Sequence, residues 1–529
     1  MRSVHRLNLI WLVGMVLVLM VSGCSRGTDK KVGGTSVIGC GKGGVFYEIF
    51  VRSFQDSDGD GIGDLNGVTA KLDYLKDLGI KGIWLMPIQS SPSYHGYDVT
   101  DYYQVNRQYG TLADLQNLTK EAHKRGIAII MDLVVNHTSS QNPWFVEAAK
   151  DKNSAFRSWY TWAEDQGRLA SGQSAAGDKA WHENNGSHYL GIFSESMPDL
   201  NFDNAAVRKE MIKVGQFWLK QGVDGFRLDA AKHIYEDFTD SKKDPQTSLR
   251  NVAWWQEFRS GLQEVKKNPY LVGEIWDSIA VIAPFLNKAL DAGFNFDLAK
   301  TLISSANTET AGNIAFTLDR AYGLYEKTSG GTFTDAPFLS NHDQTRVMSA
   351  LQGNVDHAKM AAALLLTMPG NPYLYYGEEI GMKGMKPDEY LREPMHWTAS
   401  GGAGQTTWEA PRYNKEGEPS VEAQLKDPNS LLNVYKKLIQ WRNEEPALQG
   451  GKITEFKASN EHIAAYIRGE GKDGLLVIHN LSGQAQVLDL SEDDVNTGYK
   501  KVSRYTAKGW KLEGSKLTVP GYTSLVLGK

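Results

Sequence analysis

Gly225-Phe226-Arg227-Leu228-Asp229 is the stretch on which the reading of this chain turns. It is a short strand pattern that ends in an arginine and an aspartate two positions apart, so both side chains lie on one face. Three other stretches end in the same manner: Asp132-Leu133-Val134-Val135-Asn136-His137, Gly273-Glu274 and Asn341-His342-Asp343. Carboxylates at the C-terminal ends of successive parallel strands converge on one pocket, and in barrel enzymes that pocket is the active site.

Working outward, strands alternate with helices from about residue 45. Strands are expected at Val45–Val51, Gly82–Pro87, Ile127–Val135, Gly225–Leu228, Leu271–Gly273, Gly293–Leu298, Ala336–Leu339 and Pro372–Tyr376. Ile127–Val135 is almost wholly apolar, as a strand covered on both faces must be. Between the strands, apolar residues recur at helical spacing: Val68, Leu72, Leu75 and Leu78, then Leu112, Leu115, Leu118 and Ala122, and later Met211–Leu219, Ala361–Thr367 and Leu431–Glu444. Eight strands suffice to close a parallel α/β barrel. Residues 138–205 break the alternation, being rich in Trp, Ser, Gly, Asn and His. A loop that long without structure is improbable in a compact domain, so it reads as a small domain inserted after the third strand. After about residue 447, short alternating runs (His462–Arg468, Gly474–His479, Leu517–Leu527) signal a C-terminal antiparallel β domain, read as a sandwich. The expected layout is a (β/α)8 TIM barrel over 45–137 and 206–446, with 138–205 inserted and 447–529 following.

The N-terminus reads as an address. Arg2 and Arg6 precede the apolar run Leu7–Met20, which is short for a span, and Val21-Ser22-Gly23-Cys24 follows. The pattern resembles a bacterial lipoprotein signal over 1–23, with Cys24 the lipid-modified first residue; an ordinary signal peptide and an uncleaved anchor are the alternatives. Residues 24–44 read as a flexible tether. Cys40 is the only other cysteine, so acylated Cys24 leaves no disulfide, and a 24–40 bridge is the alternative. The expected location is the outer face of a bacterial membrane. A net charge of −5 with mixed signs argues against nucleic acid as a partner. A monomer is expected.

Asp56-Ser57-Asp58-Gly59-Asp60-Gly61-Ile62-Gly63-Asp64 is a calcium-loop pattern, with acids at alternating positions, a glycine for the turn and a carbonyl at Ile62. It is not an EF-hand, because Gly67 stands where the bidentate Glu belongs and the preceding segment is strand-like. An acidic surface turn is the alternative. At the strand ends, Arg227 beside Asp229 is expected to lower that carboxyl's pKa and keep it ionised, as a nucleophile requires. Glu274, next to Ile275 and Trp276, has surroundings that raise a carboxyl and suit a general acid. With Asp343 they make the set that retaining glycosidic cleavage needs. Asn341-His342-Asp343 also fits a metal site or a catalytic dyad, and His137 is ambiguous in the same way. The 14 Trp and 23 Tyr serve either core packing or stacking on sugar rings.

Taken together and in order, Asp132–His137, Gly225–His233, Gly273–Asp277 and Phe338–Asp343 resemble the strand motifs of the α-amylase family of retaining glycoside hydrolases, over nearly the full mature length. The resemblance implies Asp229 as nucleophile, Glu274 as acid/base and Asp343 as a grip on substrate hydroxyls. It implies that Arg227 orients Asp229, that His137 and His342 bind sugar hydroxyls, and that Tyr97 stacks on the same ring beside His95. Lys232, His233 and Trp276 would stand on the leaving-group side, and Arg392 would bind sugar near the nucleophile. Met197-Pro198-Asp199-Leu200-Asn201 resembles a subgroup intermediate between oligo-1,6-glucosidases and neopullulanases, whose members combine endo cleavage, some transglycosylation and some cyclodextrin use. By the same resemblance Asn136, Asp199 and the His233 carbonyl would hold a second calcium.

The expected activity is endo-hydrolysis of α-1,4-glucans, with calcium as cofactor. The rivals are an α-1,6-glucosidase or transglycosylase of the same family, and a non-catalytic lipoprotein that captures glucans. Loss of one of the three acids would support the capture reading or that of an interaction subunit, and all three are present; the subunit would also need a genuine membrane span.

Overall fold

The computed structural model describes residues 43–529 apart from 166, 168–171, 239–243, 416, 418 and 492–497. The segment read as a signal sequence, Cys24 and Cys40 lie outside the described residues. All described residues belong to one compact unit, Ile38–Lys529. No helix among them is long and apolar enough to cross a membrane.

Seven parallel strands form the barrel wall. In spatial order they are Ala292–Gly293, Tyr270–Gly273, Gly225–Leu228, Ala128–Leu133, Gly82–Leu85, Phe46–Ile49 and Tyr373–Tyr375. The eighth stave is the segment around Ala336–Phe338. It joins its neighbours only through the parallel bridges Phe294↔Ala336 and Phe338↔Tyr373. Alternation along each strand divides two cores. Ile83, Leu85, Ile129, Met131, Leu133, Phe226 and Leu228 face the surrounding helices. Phe46, Trp84, Ile130, Tyr270, Val272, Phe294, Phe338 and Tyr373 fill the barrel interior, as layered side chains do in this architecture. Gly82 is required there, because a Cβ would lie 2.3 Å from the Phe46 ring.

Three expected elements differ. Phe46–Ile49 is the paired part of the Val45–Val51 run, and Val51–Phe54 is a short helix. Gly293–Leu298 is not one strand: the strand ends at Gly293, Phe294 adds a single bridge, and Asn295 caps the helix Phe296–Thr308 by accepting from the Leu298 amide. A side-chain cap therefore overrides the apolar run. The run Leu517–Leu527 is two strands, Lys516–Val519 and Thr523–Gly528, separated at Pro520-Gly521-Tyr522. Proline lacks a ladder donor, and Tyr522 has φ 47°.

The insertion carries the helix Pro143–Lys150 and the hairpin Trp181–Asn184/Ser187–Leu190. Bridges Tyr160↔Leu200 and His137↔Asp199 tie its two ends together beside the third strand. Its Trp162 is core, stacked on Phe145 and under the Arg157 guanidinium. The C-terminal domain has a five-stranded and a three-stranded antiparallel sheet. Leu476, Ile478, Leu488, Leu517, Val519 and Leu525 pack between them, the sandwich core.

Candidate active site

Register assembles the site. Asp132 pairs with Arg227, and Arg227 with Val272, across three neighbouring strands. Residues two further along share the inward face, which brings Asp229 and Glu274 to the same rim. The chain turns sharply after Asp229: Ala230 adopts φ 46° and its amide donates to Glu274 Oε2 at 3.1 Å. A left-handed alanine is strained and persists where its surroundings demand it.

Arg227 is buried and touches three carboxylates. Its Nη1 donates to Asp132 Oδ1 at 2.9 Å and to Asp229 Oδ1 at 2.5 Å, and its Nη2 reaches Glu274 Oε2 at 2.9 Å. The expectation that Arg227 lowers the pKa of Asp229 is corrected here. Burial raises Asp229, and the Arg227 attraction does not overcome it. Burial likewise raises Glu274 against Arg227, and pushes Asp132 up to about 7. One cation divided among three buried carboxylates cannot hold all of them down.

Asp343 behaves oppositely. Despite burial, His342 and Arg392 hold it well below the usual carboxylate range. Arg392 Nη2 meets Asp343 Oδ1 at 2.8 Å, and His342 Nε2 lies 3.1 Å from Oδ2. Burial opposes protonation of His342, yet Asp343 and Glu48 bring it up to about 10. Its Nδ1 lies 2.5 Å from Glu48 Oε1. His342 is therefore held as a buried imidazolium between the Asp343 and Glu48 carboxylates.

The Tyr97 ring stacks with His342 and His95, and its hydroxyl reaches His342 Nε2 at 2.6 Å and Asp132 Oδ2 at 3.1 Å. His137 is neutral, lowered by burial to about 4, and its Nε2 donates to the Tyr97 carbonyl at 3.1 Å. That bond commits the nitrogen to backbone. Lys232 Nζ pairs with Asp277 Oδ2 at 2.7 Å. Trp276 is 47% exposed and stacked on Phe296, so among the sequence candidates it is the ring with an open face.

A cavity of about 600 Å³ opens above these groups. His95, Tyr97, His137, Asp229, Lys232, His233, Glu274, Trp276, Asp343 and Arg392 line it. Arg227 and His342 lie beneath. Sequence reasoning gave no role to Asp132 or Glu48, although each is an acid at an inward position of an apolar strand, which is a usable signal. Phe193, Phe238 and Asp388 also line the cavity and nothing in their local sequence marks them, whereas Met197, also in the lining, opens the Met197–Asn201 motif.

At the loop, carboxylate oxygens of Asp56, Asp58 and Asp64 lie within 4.8 Å of one another, and this is the single such cluster among the described residues. Asp60 stands apart from it and accepts from the Ile62 amide at 2.8 Å. Gly59 and Gly61 take φ of 87° and 90°, and Asp64 also caps the helix Leu65–Ala70. None of the four acids has a cationic side-chain partner among the described residues. An all-oxygen, strongly anionic donor set of this kind fits a calcium ion. Asn136, Asp199 and His233 line a second cavity, of about 330 Å³. Burial pushes Asp199 up to about 8, with Asn136 and the Ile192 amide as donors.

The model of the alpha amylase catalytic domain matches residues 48–451. The chain belongs to the α-amylase family. The model of the C-terminal domain of alpha-amylase SusG matches residues 463–526. "Alpha-amylase 3" of Dictyoglomus thermophilum is 44% identical over 489 residues, covering 92% of this chain and 93% of that protein. An oligo-1,6-glucosidase of Parageobacillus thermoglucosidasius is 32% identical, covering 85% and 92%. The crystal structure of an alpha-amylase from H. orenii superposes with a TM-score of 0.85 at 44% identity, covering 92% of this chain and all of that one. As an α-amylase family member the chain is a glycoside hydrolase, and its barrel with a C-terminal antiparallel domain is the family fold.

Proposed function

We propose that this enzyme is an endo-acting α-1,4-glucan hydrolase that works with retention, on starch and maltodextrins, by double displacement. The carrying observation is the single Arg227 guanidinium that touches both Asp229 and Glu274 at the cavity floor. Carboxyls held this close leave room for a glycosyl-enzyme and not for an intervening water.

Among the described residues Asp229 uses only Oδ1 for hydrogen bonding, which leaves Oδ2 to attack the anomeric carbon. Glu274 is bonded at Oε2, which leaves Oε1 to carry the proton that its raised pKa retains. In the first step that proton passes to the glycosidic oxygen as the C–O bond breaks and the Asp229 ester forms. In the second, Glu274 accepts a proton from water, the water oxygen bonds to the same carbon, and Asp229 leaves. Asp343, anionic at both oxygens, accepts hydrogen bonds from sugar hydroxyls, and Arg392 and His342 fix it. Tyr97 lies against the sugar ring, and exposed Trp276 gives the leaving-group side a flat apolar face. Calcium on Asp56, Asp58 and Asp64 would supply charge that pins the loop after the first strand. Asn136, Asp199 and the His233 carbonyl would hold a second ion between barrel and insertion.

The test is the time course of products from soluble starch, using residues 43–529 and its Glu274→Gln variant. Rapid loss of viscosity with mixed α-anomeric maltooligosaccharides is expected, with kcat lowered ~10²–10⁴-fold in the variant. Glucose alone, released from chain ends, would replace this reading with an exo-acting glucosidase of the same family. Binding without products from the unmodified enzyme would favour a capture protein.

We also propose that Cys24 anchors the mature chain to the outer face of a bacterial membrane, supported by the charged, apolar and small-residue segments that precede it. Incorporation of labelled palmitate should be lost in Cys24→Ala; equal labelling of both proteins would sink the anchor.

A further inference from the structure

Asp343 and the Asp56–Asp64 loop stand at the ends of different barrel staves, yet a path of hydrogen bonds linked through the 404–408 backbone and through Arg392 joins them. Asp56 gathers the amides of Asp58, Gly59 and Gly61 at 3.1, 2.7 and 2.9 Å, so its carboxylate sets the loop's shape. The loop is paired in both directions with the segment 404–408. Asp56 donates its amide to the Gly404 carbonyl at 3.0 Å, and the Thr407 amide donates to the Gly61 carbonyl at 2.7 Å. The approach is close: a Cβ on Gly404 would fall 1.6 Å from Gln55 Nε2, and one on Gly61 would fall 2.6 Å from Thr407 Oγ1.

Trp408 follows immediately. Its ring stacks on Tyr94 at 5.3 Å and meets Phe50 edge-on, which aims the indole. Its Nε1 donates to Ser53 Oγ at 2.7 Å. Ser53, fully buried, donates that same hydroxyl to the carbonyl of Arg392. Arg392 in turn holds Asp343 through Nη2 and the His342 carbonyl through Nε, at 2.8 and 3.1 Å. A hydroxyl offers one donor and two lone pairs, so it can accept from Trp408 and donate to Arg392 together, which alanine cannot.

We infer that Ser53 and Trp408 are positioning residues, which act through Arg392 to place Asp343 and which tie that placement to the order of the Asp56–Asp64 loop. The inference rests on the reading of Asp343 as the group that grips substrate. It assigns the 404–408 segment a function: it is a strap that carries the state of the ion loop to the catalytic centre.

The experiment uses the full chain and the variants Ser53→Ala, Trp408→Phe, Arg392→Ala and the Trp408→Phe/Arg392→Ala pair, with maltooligosaccharide kinetics. Trp408→Phe keeps an aromatic ring beside Tyr94 while it removes the indole donor and part of the ring area. Each single change at Ser53 or Trp408 should lower kcat about tenfold while KM holds within about twofold, since small misplacements near the chemistry act on turnover. The paired variant should be no slower than Arg392→Ala alone, because the relay ends at Arg392. Losses that add, or unchanged kcat in folded Ser53→Ala and Trp408→Phe, overturn the inference. Should Ser53→Ala fail to fold, the Trp408 cycle decides alone.

The second readout is hydrogen exchange. Calcium added to chelator-treated protein should protect residues 404–408 in the wild type, and Ser53→Ala should speed exchange across 388–395. Exchange indifferent to both overturns the relay. Wild-type protein inert on α-glucans would sink the functional reading separately, and the relay would then stand or fall on these exchange rates.

Discussion

Asp132 shows how far a single residue's reading depends on its neighbours. Along the strand it is one polar interruption in Ala128–Leu133, and its alternation places it inward. What alternation does not tell is that Arg227 lies opposite it and already serves Asp229 and Glu274. Burial reverses the expected shift of Asp229: the Arg-x-Asp spacing was legible, but the sign of the pKa change was not, because it depends on how deeply the folded chain takes that carboxyl out of water. Asp132→Asn keeps the shape and takes one carboxyl off the shared Arg227 guanidinium. Weaker bonds to Arg227 and Tyr97 should lower kcat/KM by up to ~10²-fold. Steady-state kinetics of the folded variant check this, and an unchanged kcat/KM would contradict the part given to Asp132.

At the scale of elements, strand ends were easier to find than strand lengths. The segment 336–339 is apolar and β-branched residues are sparse in it, and it pairs through only two bridges; the barrel needs its position more than its ladder. The turn after the last strand adds a consequence of its own. Between Gly377 (φ 79°) and Gly381 (φ 77°), Glu378 and Glu379 are both buried. Tyr47 and Tyr74 donate to Glu379 Oε1, and Tyr435 to Glu378 Oε1, while the second oxygen of each glutamate has no partner among the described residues. Burial pushes Glu378 up to about 8. An acid with a raised native pKa binds its proton in the folded state and releases it in the unfolded one, so stability falls as pH rises from its ordinary value, ~4.3, to about 8. Glu378→Gln, neutral at every pH, should therefore be more stable than the wild type at pH 8 by a few kcal/mol, on the order of 1.4 per pKa unit. The difference should shrink toward pH 4.5. Urea unfolding at the two pH values measures it; equal differences at both would show that Glu378 does not titrate on folding.

The whole molecule is held by two cations without carboxylate partners among the described residues. Arg442, on the helix Leu431–Glu444, donates to the carbonyls of Gly43, Leu366, Met368, Gly370 and Gln449. Arg468, on a strand of the C-terminal sandwich, donates to Thr367, Leu448 and Gly450. Both meet the C-terminal carbonyls of the helix Val355–Thr367, where orphan acceptors and the helix dipole favour a cation. Burial brings Arg468 down to about 10, still charged at neutral pH. Arg468→Ala leaves buried carbonyls unmet and should cost about 1–3 kcal/mol. Chemical denaturation of the intact chain should show that loss with unchanged kcat per folded molecule, since the site lies at the other end of the barrel; a loss of turnover at full folding would contradict a purely structural part for Arg468.

The sequence by itself determined the family, the barrel with its insertion and C-terminal sandwich, and which acids stand at strand ends. Those follow from local properties: strand alternation, apolar runs, and motif residues carried at fixed spacing. Only the tertiary structure decided the protonation pattern, the partners Asp132 and Glu48, the commitment of His137 to backbone, and the strap from the ion loop through Trp408 and Ser53 to Arg392. Each of these depends on residues tens to hundreds of positions apart meeting in a low-dielectric interior, where distance in space sets the energy and distance along the chain does not.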